Sequence, residues 1–108
     1  MLYVSTSTLD TVNNLGLLYA SQGRLDEAEK MYLRALAGYE KALGMEAVNK
    51  YILALNTAEN LANLFRQTGR AKGAEELYDK ALFGVEAVFG HLSDRYRDVV
   101  EALDDTNC

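Results

Sequence analysis

Asn14-Leu15-Gly16-Leu17-Leu18-Tyr19 is followed by Gly23 and then by Ala28-Glu29-Lys30-Met31-Tyr32-Leu33-Arg34-Ala35-Leu36. The same phrase returns as Asn60-Leu61-Ala62-Asn63-Leu64-Phe65, then Gly69, then Ala74-Glu75-Glu76-Leu77-Tyr78-Asp79-Lys80-Ala81-Leu82. The offsets 61−15, 69−23, 78−32 and 90−44 all equal 46. A constant step over so many landmarks marks a repeat architecture, in which units too small to bury their own apolar faces stack in line.

Within each unit the apolar spacing is helical. Leu9, Val12, Gly16 and Tyr19 recur at steps of three and four, with Leu15 and Leu18 widening the stripe. Ser7 or Thr8 is expected to cap this helix, after a ragged lead-in from Met1, and Gly23 to end it. The second helix opens at Leu25-Asp26-Glu27, whose carboxylates face the positive end of the helix dipole, and Gly44 stops it. Leu25, Ala28, Tyr32, Ala35, Leu36, Tyr39 and Leu43 form its apolar face. The loop between these helices is short, so they run antiparallel. Met45 to Ala54 joins the units. A third helix then carries Leu55, Ala58, Leu61, Ala62 and Phe65 to Gly69, and a fourth runs from about Ala71 to Gly90. Lys72 and Gly73 replace an acidic pair in its first turn, which is expected to fray first. Leu92, Tyr96, Val99, Val100 and Leu103 space out a fifth, closing helix, with a polar, frayed end from Asp104 to Cys108.

The fold class is therefore all-α: two antiparallel helix hairpins plus a C-terminal capping helix. Residues 1–108 form one domain, with a first repeat at about 8–44, a second at about 48–90 and the closing helix at about 92–104. No proline occurs in 108 residues, which suits helices whose interiors lose about 3 kcal/mol to each proline.

Net charge −5 and a pI near 4.8 argue against nucleic acid, which needs a basic face to displace counterions. The one cysteine, Cys108, allows neither a disulfide framework nor a thiolate metal site. No run approaches the ~20 apolar residues of a membrane span, and Met1-Leu2-Tyr3-Val4 lacks the basic start of a signal peptide. The expectation is a cytoplasmic protein without a membrane contact.

Leu15-Gly16 with Tyr19, then Ala28, Tyr32 and Ala35, resembles the tetratricopeptide repeat consensus, and Leu61-Ala62 with Phe65, then Ala74, Tyr78 and Ala81, repeats it. Thr8-Leu9-Asp10-Thr11-Val12-Asn13-Asn14-Leu15-Gly16, Glu27-Ala28-Glu29-Lys30-Met31-Tyr32 and Ala42-Leu43-Gly44 are similar to the longer repeats of kinesin light chain. Arrays of that type also close large fungal nucleotide-binding receptor-like proteins, of which this chain would be a fragment or remnant. The resemblance implies an α-solenoid in which Gly16, Ala28, Ala62 and Ala74 let paired helices approach. Tyr19, Tyr32, Phe65 and Tyr78 would fill the space between successive pairs. The chain departs from the pattern in residues added around Asn49–Ile52, in Ala62 for glycine, and in the absence of a His-Pro at the join.

The first helix of each pair is expected to line a concave side. Asp10, Asn13, Leu17, Ala20 and Ser21 would point there from the first unit, and Asn56, Glu59, Asn63, Arg66 and Gln67 from the second. Asn14 and Asn60 lie beside that stripe. Their amides either grip an extended peptide backbone or bond neighbouring helices. Glu59 and Asp10 would favour a neutral or basic segment, whereas the carboxylate-clamping branch of the family carries lysines there. Tyrosines at helical spacing are core aromatics, and His91, with no partner, makes no zinc site. No catalytic residues, metal ligands or cofactor are expected, and a phosphate loop and a Ser-His-Asp set are both missing from the sequence. The expected function is a non-catalytic protein–protein interaction module. The alternative is self-assembly, or docking within a larger scaffold, through apolar surface that Leu2–Val4, Leu9, Leu17 and Leu18 leave on the first helix.

Overall fold

Ser5 takes extended backbone and accepts the Thr8 backbone N–H on its hydroxyl at 3.3 Å, which caps helix α1 (Thr6–Ser21). The cap is thus two residues earlier than Ser7, because Ser7 and Thr8 have already entered the helix. The computed structural model describes residues 5–48 and 51–107. Met1–Val4, Asn49, Lys50 and Cys108 lie outside the described residues, and with them the lead-in, the centre of the join and the lone thiol.

Helix α2 spans Leu25–Val48, α3 Ile52–Gln67, α4 Ala71–Phe89 and α5 Asp94–Asn107; no strand occurs among the described residues. The 46-residue step is preserved in the backbone: 52−6, 67−21 and 71−25 all equal 46. Gly23, Gly69 and Gly90 follow their helices with positive φ. Gly44 does the same inside α2, at φ 82° and ψ 165°, so the helix breaks there and resumes for one turn to Val48.

Neighbours in sequence are neighbours in space: α1 with α2, α2 with α3, α3 with α4 and α4 with α5. The molecule measures 42 × 31 × 20 Å. Its thinnest dimension matches two helix diameters of about 10–12 Å, as expected for a two-layer stack of hairpins.

The core runs through the stack in three connected groups. Leu9, Tyr39, Val48 and Ala54 form one, where α1 and α2 meet the join. Ala28, Tyr32, Leu61 and Leu64 form the second, where α2 receives α3. Ala74, Tyr78, Val85 and Val99 form the third, where α4 receives α5. The small residues act as the consensus requires. A Cβ at Gly16 would come within 2.6 Å of Tyr32 Cε1, so the ring sits directly on the helix backbone. Gly73 also admits a ring: a Cβ there would lie 2.9 Å from the Phe65 ring.

Four expectations need correction. Leu15 is not interior but 39% exposed, beside Leu18, which at 51% is on the uncovered face as expected; among the described residues no helix packs over that side of α1. Leu9, expected on the uncovered face, is buried by Tyr39, Val48 and Ala54. Leu92 falls in the turn before α5 and is 90% exposed. The polar end from Asp104 stays helical to Asn107, with the Thr106 hydroxyl donating to the Ala102 carbonyl at 2.7 Å.

Candidate functional site

The first helices of the two pairs, α1 and α3, share one face, and α5 flanks it. Between them runs a trough of about 320 Å³, lined by Asn13, Asn14, Leu17, Leu53, Asn56, Glu59, Asn60, Asn63 and Arg95. It continues into a second depression of about 190 Å³ bounded by Leu17, Ala20, Tyr32, Asn60, Asn63, Leu64 and Gln67. A third void, of about 30 Å³ between α2, α3 and α4, has room for a single water and not for a ligand.

Four asparagines come together because the repeat aligns them. Asn14 and Asn60 are equivalent under the 46-residue step, and Asn56, Asn60 and Asn63 follow the i, i+4, i+7 line of α3. Their roles differ. Asn14 is exposed, with no side-chain partner among the described residues. Asn60 donates to Asn13 Oδ1 through a long bond of 3.4 Å. Asn63 accepts from the Tyr78 hydroxyl, which leaves its amide NH₂ free to donate.

Asn13 belongs to the structure more than to the open face. It is 4% exposed, and its Oδ1 takes the hydroxyl of fully buried Thr57 at 2.8 Å. That bond ties α1 to α3 and sets their register. Asp10 faces away from the trough and accepts from the Tyr39 hydroxyl. Burial, with the Asp10 carboxylate beside it, pushes the Tyr39 phenol well above its ordinary range. Burial likewise raises Tyr32 and Tyr78. Arg66 is exposed, lines neither depression, and lies 6.0 Å from the centre of the Tyr78 ring. The Ser21 hydroxyl is spent on the Leu18 carbonyl at 2.7 Å.

Glu59 does sit in the trough, but it is engaged. Arg95, in the first turn of α5, donates from Nη2 at 2.7 Å and from Nε at 3.2 Å to Glu59 Oε2, and also donates to Asn56 Oδ1. The same guanidinium lies 5.5 Å from the centre of the Phe89 ring. Sequence spacing alone does not reveal Arg95, which is flanked by Asp94 and Asp98. The available signal was that the closing helix takes the place of a third first-helix, which brings its opening turn against α3. With Glu59 neutralised, the trough presents amide donors and acceptors around Leu17 and Leu53.

Among the described residues no cluster of His, Cys, Asp and Glu could hold a metal ion, and no helix is long and apolar enough to cross a membrane. A family model described as tetratricopeptide repeat matches residues 7–82. No curated protein matches the chain.

Proposed function

Because the chain belongs to the tetratricopeptide repeat family, we propose that it is a non-catalytic adaptor whose α1–α3–α5 trough holds an extended, uncharged segment of a partner protein. Tetratricopeptide repeats generally mediate protein–protein interaction and are generally non-catalytic. The match is compatible with the kinesin-light-chain-like repeat type.

The observation that carries the reading is the amide-lined trough. Asn14, Asn56, Asn60 and Asn63 surround Leu17 in a channel whose single carboxylate is paired internally. A peptide backbone alternates carbonyl acceptors with N–H donors, and a carboxamide supplies both complements. Such contacts are tolerant of ligand sequence, and the apolar floor at Leu17 and Leu53 would take one side chain. A basic ligand would have to displace Arg95 from Glu59, losing a charge-assisted pair for each one gained. The neutral form of the ligand expectation therefore has more support than the basic one, and Asp10 is no anchor.

The test is selection of binding peptides from a random library against wild-type protein, followed by titration with Asn14→Ala/Asn60→Ala. Two lost amide contacts at about 1 kcal/mol each weaken binding about tenfold or more. Arg66→Ala, outside the trough, leaves affinity unchanged. Selected peptides rich in Lys and Arg, with affinity falling steeply in salt and indifferent to the double substitution, would overturn the proposal.

A further inference from the structure

Given that the trough holds the partner, as proposed above, we infer that Arg95 determines its charge specificity. With Glu59, it reserves one ligand position, beside Asn56, for an uncharged side chain. Of the described residues that line the trough, only two are charged, Glu59 on α3 and Arg95 on α5. They are paired with each other: Arg95 donates to Glu59 Oε2 from Nη2 at 2.7 Å and from Nε at 3.2 Å. Among the described residues no other ion pair has both members on the trough.

The pair is reachable and held in place. The Arg95 and Glu59 side chains keep 29% and 20% of their surface exposed, so a ligand side chain entering the trough meets both charges. The guanidinium also donates to Asn56 Oδ1 and lies 5.5 Å from the centre of the Phe89 ring at the end of α4. The turn that carries it is capped: Ser93 Oγ accepts the Tyr96 backbone N–H at 3.1 Å and donates to the Gly90 carbonyl at 2.8 Å. Arg97 is exposed and is paired with Asp94 in its own turn at 3.0 Å, so it does not compete for Glu59.

A cationic side chain approaching Glu59 meets Arg95 as a like charge, and an anionic one approaching Arg95 meets Glu59. Either must break one charge-assisted pair to make another, whereas an uncharged side chain leaves the pair intact. The preference for a neutral residue thus comes from two opposite charges and not from their absence. Deleting either one exposes the other. Arg95 lies on the closing helix, outside both repeats, so charge selection is separable from the asparagines that hold the ligand backbone.

The test is selection from one random peptide library against wild type, Arg95→Gln, Glu59→Gln, Arg95→Lys and the Arg95→Gln/Glu59→Gln double variant. Arg95→Gln is expected to select Lys or Arg at a single peptide position, and a peptide carrying it binds that variant about tenfold more tightly than it binds wild type. Glu59→Gln is expected to select Asp or Glu at the same position. The double variant returns to uncharged residues, as does Arg95→Lys, which keeps a cation opposite Glu59. Unchanged residue preferences in both single variants would overturn the inference. So would an Arg95→Gln that weakens every peptide equally, as a residue that only anchors α5 would do; Glu59→Gln, on α3, carries the test independently of how firmly α5 is held. If Asn14→Ala/Asn60→Ala still weakens wild-type binding while the charge preference does not move, only the role of Arg95 falls. If that substitution leaves all binding unchanged, the trough falls as the binding surface and the role of Arg95 falls with it.

Discussion

Thr57 and Thr11 are the same residue in the two repeats and have opposite environments. Thr57 is fully buried and holds Asn13 across the α1–α3 contact, with the Leu53 carbonyl as an alternative acceptor at 2.9 Å. Thr11 is exposed, and its hydroxyl reaches only the Ser7 carbonyl at 3.2 Å. Thr57→Val keeps the shape and leaves Asn13 Oδ1 with one long bond to Asn60, so it is expected to cost about 1–3 kcal/mol. Thr11→Val should fall within about 0.5 kcal/mol of wild type. Urea unfolding of the two variants measures the difference directly. The pair also shows what the sequence can and cannot say at this scale. The 46-residue register identifies the positions as equivalent. It does not say that one has a neighbouring helix and the other does not, and the same limit applies to Leu61 against Leu15. Arg95 was hidden for a related reason: its partner Glu59 lies 36 residues away, beyond any local spacing rule.

Among the elements, the helices were legible because their punctuation is chemical. Glycines with positive φ sit at 23, 44, 69 and 90, and apolar steps of three and four fill the intervals. The first cap was misplaced because Ser5, Thr6, Ser7 and Thr8 are all competent caps, and local sequence does not rank them. The first turns of α2 and α4 differ as their residues suggest. α2 opens with Asp26 and Glu27, whereas α4 has no acidic residue in its first turn and no side-chain cap. Amide exchange at Lys72–Ala74 is therefore expected to be faster than at Asp26–Ala28; slower exchange would show that the Phe65 ring against Gly73 outweighs the missing cap.

The α2–α4 contact carries a pH dependence of known sign. The hydrogen bonds from Arg70 hold the Glu29 carboxyl below its ordinary value of 4.5, against a smaller opposing effect of burial. Its folded pKa is depressed, so its contribution is complete above that value and is lost as pH falls through the folded pKa. Glu29→Gln should flatten this part of an acid-unfolding curve while changing little in the slope between pH 6 and 8, where the carboxylate is ionised in both states.

For the molecule as a whole, the stacking of hairpins was readable from periodicity alone, since units that recur in register must bury equivalent faces against each other. The trough was readable in outline. Asn14, Leu17, Asn56, Asn60 and Asn63 line it as their helix positions suggest; Asn13 also borders it but gives its Oδ1 to the α1–α3 contact, and Asp10 turns toward Tyr39. Those two departures arise from hydrogen bonds between elements, which a helical wheel does not contain. The central claim is that the hollow between the paired first helices is the surface that holds a partner. The most direct measurement is backbone amide chemical-shift mapping of the labelled protein against a peptide selected on it. The account predicts perturbations concentrated at Asn14, Leu17, Asn56, Asn60 and Asn63 and extending to Arg95 on α5. Perturbations confined to exposed positions of α2 and α4, such as Leu33, Asp79 and Phe83, with those trough amides unmoved, would contradict it.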